Sequence, residues 1–598
     1  MNDQPNSTKQ PSDSSRLSEN LRQIAEKSQR IVEDFLTKQA QEGDTGMAVP
    51  MSIGTAFLEM TAKMMANPAK LLEAQAELWQ NYLNLWQHAT RRAMGIETSP
   101  IIEPEESDRR FQSPEWQENP LFDFIKQSYL LTARWTQSLV SKAEDLDEDT
   151  ARKLDFYSRQ FVDAIAPTNF LLTNPEVLRA TLESKGNNLV RGLNNLLKDL
   201  ENGKGKLRIL HTDPEAFKIG GNIACTPGKV IYQNELMQLL QFSPTTENVY
   251  KRPLLIIPPW INKYYILDLR ESNSFVRWAL DKGHTVFVIS WVNPDEKLAN
   301  KTFEDYMLEG PLEAMDAIAK ATGEKELNVL GYCIGGTLLA CTLSYLAAKK
   351  DRRVHSAIFL TAMVDFEDPG ELSVFIDEAQ IGVLEKKMEK QGYLEGHEMN
   401  ATFNMLRAND LIWSFVVNNY LLGKEPFPFD LLYWNADSTR MPAAMHSFYL
   451  RRMYLENKLV KPGAIHLGGV PIDLRKIDLP IYILACREDH IAPWKSVYAA
   501  TQIYKGDVHF TLAASGHVAG IVNPPTKKKY NFWTAEKNPP SPEEWLAIAK
   551  ATDGSWWLDF GKWLAPKGGA KVKARTPGDG ALKPVEDAPG SYAKVRVD

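Results

Sequence analysis

At 598 residues the chain exceeds what one hydrophobic core supports, so a large domain and at least one further unit are expected. A formal charge of −7, with 69 Lys and Arg against 76 Asp and Glu, lacks the basic excess of a nucleic-acid binder. Four widely separated cysteines, Cys225, Cys333, Cys341 and Cys486, show no CxxC spacing, which argues against a disulfide framework or a metal site and suits free thiols in a reducing compartment.

Taken in chain order, residues 1–16 ("MNDQPNSTKQPSDSSR") are polar, lack the apolar core of a signal peptide and are expected to be a disordered tail. No stretch approaches the ~20 apolar residues of a spanning helix, so a cytoplasmic protein is expected. Residues 17–204 read as a helical domain in which "ANPAK", "ENPLF" and "TNPEV" each place an Asn cap before a helix-starting Pro. After Asn67, the residues Leu72, Trp79, Tyr82 and Trp86 repeat at helical spacing, giving an apolar stripe that serves either as domain core or as a surface for a partner or apolar phase. From 205 to 565 short β-branched runs alternate with helical stretches: "PLLIIPP", "HTVFVISW", "LNVLGYC", "HSAIFLT", "PIYILAC" and "VHFTLAAS". That order implies an α/β domain with a doubly wound, mainly parallel sheet. The aromatic-rich insert at about 365–470 reads as a cap over the strand ends, and residues 566–598, rich in Gly, Pro and Lys, as an extended tail.

Gly331-Tyr332-Cys333-Ile334-Gly335 has the G-x-C-x-G form of an α/β-hydrolase nucleophile elbow, after a strand and before a helix. The helix N-terminus favours a thiolate at Cys333, and the Ile334 N–H can donate to an oxyanion. Such an elbow takes its acid and histidine from later strand ends in that order. "REDHIAPW" offers Asp489 after one strand and "GHVAGIVNP" offers His517 after the next, with Asp365 the competing acid and His509 inside a strand. The loop after "PLLIIPP" should give the second oxyanion donor, with the Ile261 N–H as candidate. Asn262, Asp268 and His490 are the remaining candidates for substrate contacts, with Lys263 beside Asn262 as a further one, and Asn262 and Lys263 alternatively capping the turn.

With "GYCIGG", "PPWINKYYILDL", "SWVNPD", "FDLLYWNADSTRMP", "REDHIAPW" and "ASGHVAGIVNPP" in this order, the sequence resembles the class I polyhydroxyalkanoate synthases. The resemblance implies polymerisation of (R)-3-hydroxyacyl-CoA thioesters, short-chain ones such as 3-hydroxybutyryl-CoA, with Cys333 carrying the acyl group, His517 as base and Asp489 as third member. No cofactor is implied, since CoA leaves as a product. A homodimer at polyester granules, with granule-associated proteins as further partners, is also implied. Either His517 or Asp489 could activate the 3-hydroxyl of the next unit. A cysteine-dependent thioesterase would use the same triad but admit water, and a granule scaffold would use none of it.

Overall fold

Residues 68–141 and 146–596 are described by a computed structural model, so the expected tail at 1–16 and the helical expectation over 17–67 lie outside the described residues. The chain divides into two units, one formed by residues up to Asp213 together with Arg407–Phe427, the other by Pro214–Leu406 and Pro428–Asp598.

The first unit is helical, with α1 (Pro68–Ala93), α2 (Pro120–Ser141), α3 (Glu148–Ala164), α4 (Pro175–Glu183) and α5 (Asn187–Asn202). The Asn119-Pro120 and Asn174-Pro175 pairs mark helix starts, while Asn67 lies outside the described residues. Asn119 Oδ1 accepts from the Leu121 amide at 2.9 Å and Asn174 Oδ1 from Glu176 and Val177, satisfying first-turn donors that have no intrahelical acceptor. Helix α1 buries Ala74, Leu85 and His88, and Tyr82 bonds Thr132 of α2 at 2.8 Å. Leu72, Trp79 and Trp86 stay exposed, Trp79 at 65%. The stripe is therefore divided: Tyr82 bonds α2 and the Trp86 ring meets Phe124 of α2 edge to face at 5.6 Å, while Leu72 and Trp79 lie open.

The expected cap needs correction. Its stretch Arg407–Phe427, which includes "LIWSFVVNNYLLG", folds with the helical unit and not with the catalytic insert. Amide side chains of α5 reach its backbone, Asn188 Nδ2 donating to Leu421 O at 2.8 Å and Asn195 Nδ2 to Asn419 O at 3.0 Å. Tyr420 donates to Asp199 at 2.6 Å, and Gly192 leaves the space in which the Tyr420 carbonyl sits. The helical unit also continues through Asp213, past the expected boundary at 204.

The second unit is built on an eleven-stranded sheet. Its strands are β1 (Gly228–Gln233), β2 (Met237–Phe242), β3 (Leu254–Ile257), β4 (Val286–Trp291), β5 (Leu327–Tyr332), β6 (Val354–Leu360), β7 (Ile481–Cys486), β8 (Val508–Ala513), β9 (Asn531–Thr534), β10 (Lys550–Asp553) and β11 (Glu586–Asp587). They lie in the order β10-β9-β8-β7-β6-β5-β3-β4-β2-β1-β11. The six runs read from the sequence are the parallel centre, β4-β3-β5-β6-β7-β8, and the margins pair antiparallel. Successive residues of β3 alternate faces, Leu255 and Ile257 packing on one side and Leu254 and Ile256 on the other, so both faces of the parallel centre are covered.

The segment expected as an extended tail is also different. Lys571–Lys573 pairs with Asn248–Tyr250, and β11 covers the outer edge of β1. Two short runs of free backbone donors and acceptors are satisfied by an edge that would otherwise be bare.

Candidate active site

Cys333 follows β5 directly and precedes α6 (Ile334–Ala348) with φ +54° and ψ −128°, a conformation a side chain rarely adopts. Close packing enforces it. A side chain at Gly331 would strike Gly336 Cα at 2.5 Å, and one at Gly335 would strike the carbonyl oxygen of Ile257 at the end of β3. The elbow, the first turn of α6 and the loop leaving β3 are thereby pressed together.

The sheet's hydrogen-bond ladder continues past the strand ends, with Cys333 N donating to Leu360 O at 2.9 Å, Arg487 N to Ala513 O at 2.8 Å and Glu488 N to Ser515 O at 2.9 Å. The turns bearing Cys333, Asp489 and His517 are held side by side at the carboxyl ends of β5, β7 and β8. His517 Nδ1 meets Asp489 Oδ2 at 2.7 Å, with both side chains nearly sealed from solvent. The other carboxylate oxygen, Oδ1, accepts from the Ile491 and Ala492 amides, each at 2.9 Å. Burial opposes charge on the His517 ring, but the Asp489 carboxylate and the charge and hydrogen bond of Cys333 outweigh it, raising the ring from 6.5 to about 10. Among the described residues the amides of Ile334 and Ile261 donate to no acceptor, while the Ile261 carbonyl is taken by the Thr439 amide at 2.9 Å. The free Ile334 N–H stands next to Cys333 at the head of α6, and the free Ile261 N–H lies on the loop that leaves β3.

The raised His517 value has a testable sign. A histidine whose folded value lies above its unfolded one stabilises fully below about 6.5 and loses that contribution as pH rises through about 10. Asp489→Asn removes the main anion. The gap in Tm between parent and Asp489→Asn is expected to be widest near pH 6 and to close toward pH 10. A gap constant over that window, followed by calorimetry, would contradict the paired imidazolium.

Residues 107–279 match the family described as Poly-beta-hydroxybutyrate polymerase (PhaC) N-terminus, and residues 253–524 match the alpha/beta hydrolase fold. A Poly(3-hydroxyalkanoate) polymerase of Methylorubrum extorquens is 52% identical, covering 89% of this chain and 88% of the relative. The Poly(3-hydroxyalkanoate) polymerase subunit PhaC of Rhizobium meliloti (strain 1021) is 48% identical, covering 97% and 95%. Its namesake in Cupriavidus necator is 41% identical, covering 93% and 94%. The chain belongs to the poly(3-hydroxyalkanoate) polymerase family.

As a member of this polymerase family the chain is an enzyme with an α/β-hydrolase fold. The candidate site includes residues the sequence did not single out. Tyr332 stacks on the His517 ring with centroids 5.6 Å apart and donates its hydroxyl to the His517 carbonyl at 3.1 Å. It stands inside the elbow pentapeptide, where its only signal was position. From the insert, Phe366, Tyr449 and Tyr454 form a triangle of rings 4.8 to 6.2 Å apart. Burial, followed by Tyr454 and the Cys333 charge, pushes the Tyr449 hydroxyl far up, and burial with the Cys333 charge does the same at Tyr454. The aromatic character of "HSFYLRRMYLEN" was visible in the sequence, but its register over the sulfur was not.

Other polymerase candidates change role. Asp268 is fully buried and accepts from Thr226 Oγ1 at 2.5 Å and Ser274 Oγ at 2.7 Å, so it fastens the 264–269 segment to its neighbours and is not exposed to a substrate. Asn262 is half-buried, with its Nδ2 3.4 Å from the carbonyls of Trp434 and Asn435. Asp365 receives Asn457 Nδ2 at 2.7 Å and the Glu367 amide at 3.1 Å, leaving Asp489 as the acid on His517. His490 is half-buried in the turn that carries Asp489, and His509 lies in β8 against Asp559 at 3.0 Å. Among the described residues no helix is long and apolar enough to cross a membrane.

Proposed function

We propose that the chain polymerises (R)-3-hydroxyacyl-CoA thioesters, short-chain ones such as 3-hydroxybutyryl-CoA, into polyester with release of CoA through an acyl-Cys333 intermediate. The observation that carries this reading is His517 held between Asp489 and Cys333 on a strained elbow, in a chain of the polymerase family.

In the first step the Cys333 thiolate attacks the thioester carbonyl, and the Ile334 and Ile261 amides receive the oxyanion. The C–S bond to CoA breaks, and the imidazolium of His517 gives its proton to the departing thiolate. One thioester replaces another, so the acyl group keeps its reactivity. An oxyester on serine would lose much of it. Acylation also removes the sulfur's charge, one of the anions that held the proton on His517, leaving a neutral ring ready to act as base.

In the second step His517 takes the proton of the 3-hydroxyl of the next unit. The new alkoxide attacks acyl-Cys333, the ester bond forms, and the thiolate and imidazolium are regenerated. Asp489 is disfavoured as the direct base because both its oxygens are occupied and its side chain has no exposure. Phe366, Tyr449 and Tyr454 pack ring on ring, and the two tyrosines are near enough to feel the Cys333 charge, which supports exclusion of water from the acyl-enzyme.

No cofactor enters this scheme. The exposed Leu72, Trp79 and Trp86 face is assigned to association, with a second copy or the apolar polymer of a granule. Incubation of the purified protein with 3-hydroxybutyryl-CoA is expected to release CoA with matching gain of insoluble polyester. Matching gain of free 3-hydroxybutyrate instead would assign the same triad to a thioesterase.

A further inference from the structure

The turn that presents the Ile261 amide is followed at once by a buried cation. Lys263 is 3% exposed, and its ammonium donates to the carbonyls of Tyr592 at 3.3 Å, Ala593 at 3.5 Å and Val595. Residues 592–594 form a single 3-10 turn, so the three ammonium protons meet the carbonyls of the chain's last described turn. The Lys263 carbonyl in turn accepts from the Trp434 indole at 2.7 Å.

Arg596, just beyond, donates to the Tyr433 hydroxyl at 3.0 Å and comes within 3.7 Å of Asp437, a buried carboxylate that also accepts from Tyr265 at 2.7 Å. Two residues after Asp437, Thr439 grips the oxyanion-side loop, its hydroxyl on the Trp260 carbonyl and its amide on that of Ile261. The strap has its own anchor in the sheet. Tyr592 N donates to Gln238 Oε1 of β2 at 3.1 Å and Tyr592 Oη to Asn234 O at 2.7 Å.

Burying an ammonium costs several kcal/mol unless its surroundings replace water, and an apolar side chain of similar length would pack there at less cost. A cation at this place therefore contributes geometry more than stability. It fixes where the 592–596 turn lies relative to the loop whose Ile261 N–H has no acceptor among the described residues.

We propose that Lys263, Asp437 and the turn at 592–596 form a latch that sets the Ile261 amide, making that turn a positioning element of the oxyanion pocket. The proposal rests on the reading of Ile261 as an oxyanion donor to acyl-Cys333. Neither Lys263 nor Arg596 is assigned a contact with substrate.

The test uses the full-length protein with Lys263→Met, Arg596→Met and both together. Rapid-quench acylation of Cys333 by 3-hydroxybutyryl-CoA is expected to slow about tenfold to a hundredfold with KM within about twofold of the parent, because a displaced donor costs less than a deleted one. The double variant should lose less than the product of the two single losses, since both act on one turn. Alkylation of Cys333 by iodoacetamide needs the thiolate and His517 but no oxyanion donor, and should keep its parental rate. Parental acylation in both single variants, a loss confined to KM, or alkylation that slows in step with acylation would overturn the latch. Arg596, partly exposed, keeps the test usable if the buried Lys263 variant folds poorly. Failure of the parent chain to form acyl-Cys333 would instead overturn the underlying reading of the reaction, and the latch with it.

Discussion

Serine in place of Cys333 is expected to leave a folded protein whose release of CoA from 3-hydroxybutyryl-CoA is slower by at least about a thousandfold, and alanine to leave less still. Folding should survive because the elbow is set by the glycines around it and by the Cys333 amide on Leu360, not by the side chain. A thiol ordinarily titrates near ~8.5 and a hydroxyl far above, so serine cannot form the anion that pairs with His517. The ring should register that loss directly. With one of its raising charges gone, His517 is expected to titrate below the value of about 10 it has in the parent, which histidine NMR would follow. Cys341→Ala and Cys486→Ala give the contrast. Both thiols are buried, Cys341 with its pKa pushed up by burial to about 12, and their loss should cost at most about 2 kcal/mol with the chemistry intact. Polymer made by Cys333→Ala at near the parental rate would sink the elbow assignment.

His517→Gln is expected to abolish both steps, by about ten-thousandfold or more, since the imidazole that holds and delivers the proton is lost. Asp489→Asn should separate the steps. Its side chain can still accept from the Ile491 and Ala492 amides, so the turn is kept while the charge is lost. During acylation the Cys333 thiolate still holds the proton on His517, and the loss should be about a hundredfold. During chain growth the sulfur is acylated and neutral, leaving Asp489 as the charge that makes the ring basic, and the loss should approach ten-thousandfold. Rapid-quench labelling should therefore trap acyl-Cys333 in Asp489→Asn. Equal loss in the two steps, or an Asp365→Asn variant that is the inactive one, would overturn the division.

The centre of the fold was legible because a parallel strand covered on both faces is a short run of β-branched residues, and all six such runs are strands. The margins were not. β9 and β10 are short, and "KATD" is exposed along its whole length, so neither carries the apolar signal by which strands are read. The candidate triad was legible for a local reason: each member stands just past a readable strand end. Asp268 misled because a lone aspartate in a loop near a site gives no sign of whether Thr226 and Ser274 will take its oxygens. For the stripe on α1 the sequence leaves core and surface both open, because spacing shows only that Leu72, Trp79, Tyr82 and Trp86 share a side; Tyr82 and Trp86 meet α2 while Leu72 and Trp79 stay exposed.

Because Arg407–Phe427 folds with the amino-terminal helices, the helical unit is discontinuous in the gene as well as in the chain. Exchange of that unit between relatives at a single junction near residue 213 would leave α5 facing a foreign strand of sequence where Asn188, Gly192, Asn195 and Asp199 each expect a particular backbone or hydroxyl partner. A recombinant library built from these polymerases should therefore carry the 407–427 stretch with its own amino-terminal half, and the crossover points that preserve folding should come as linked pairs.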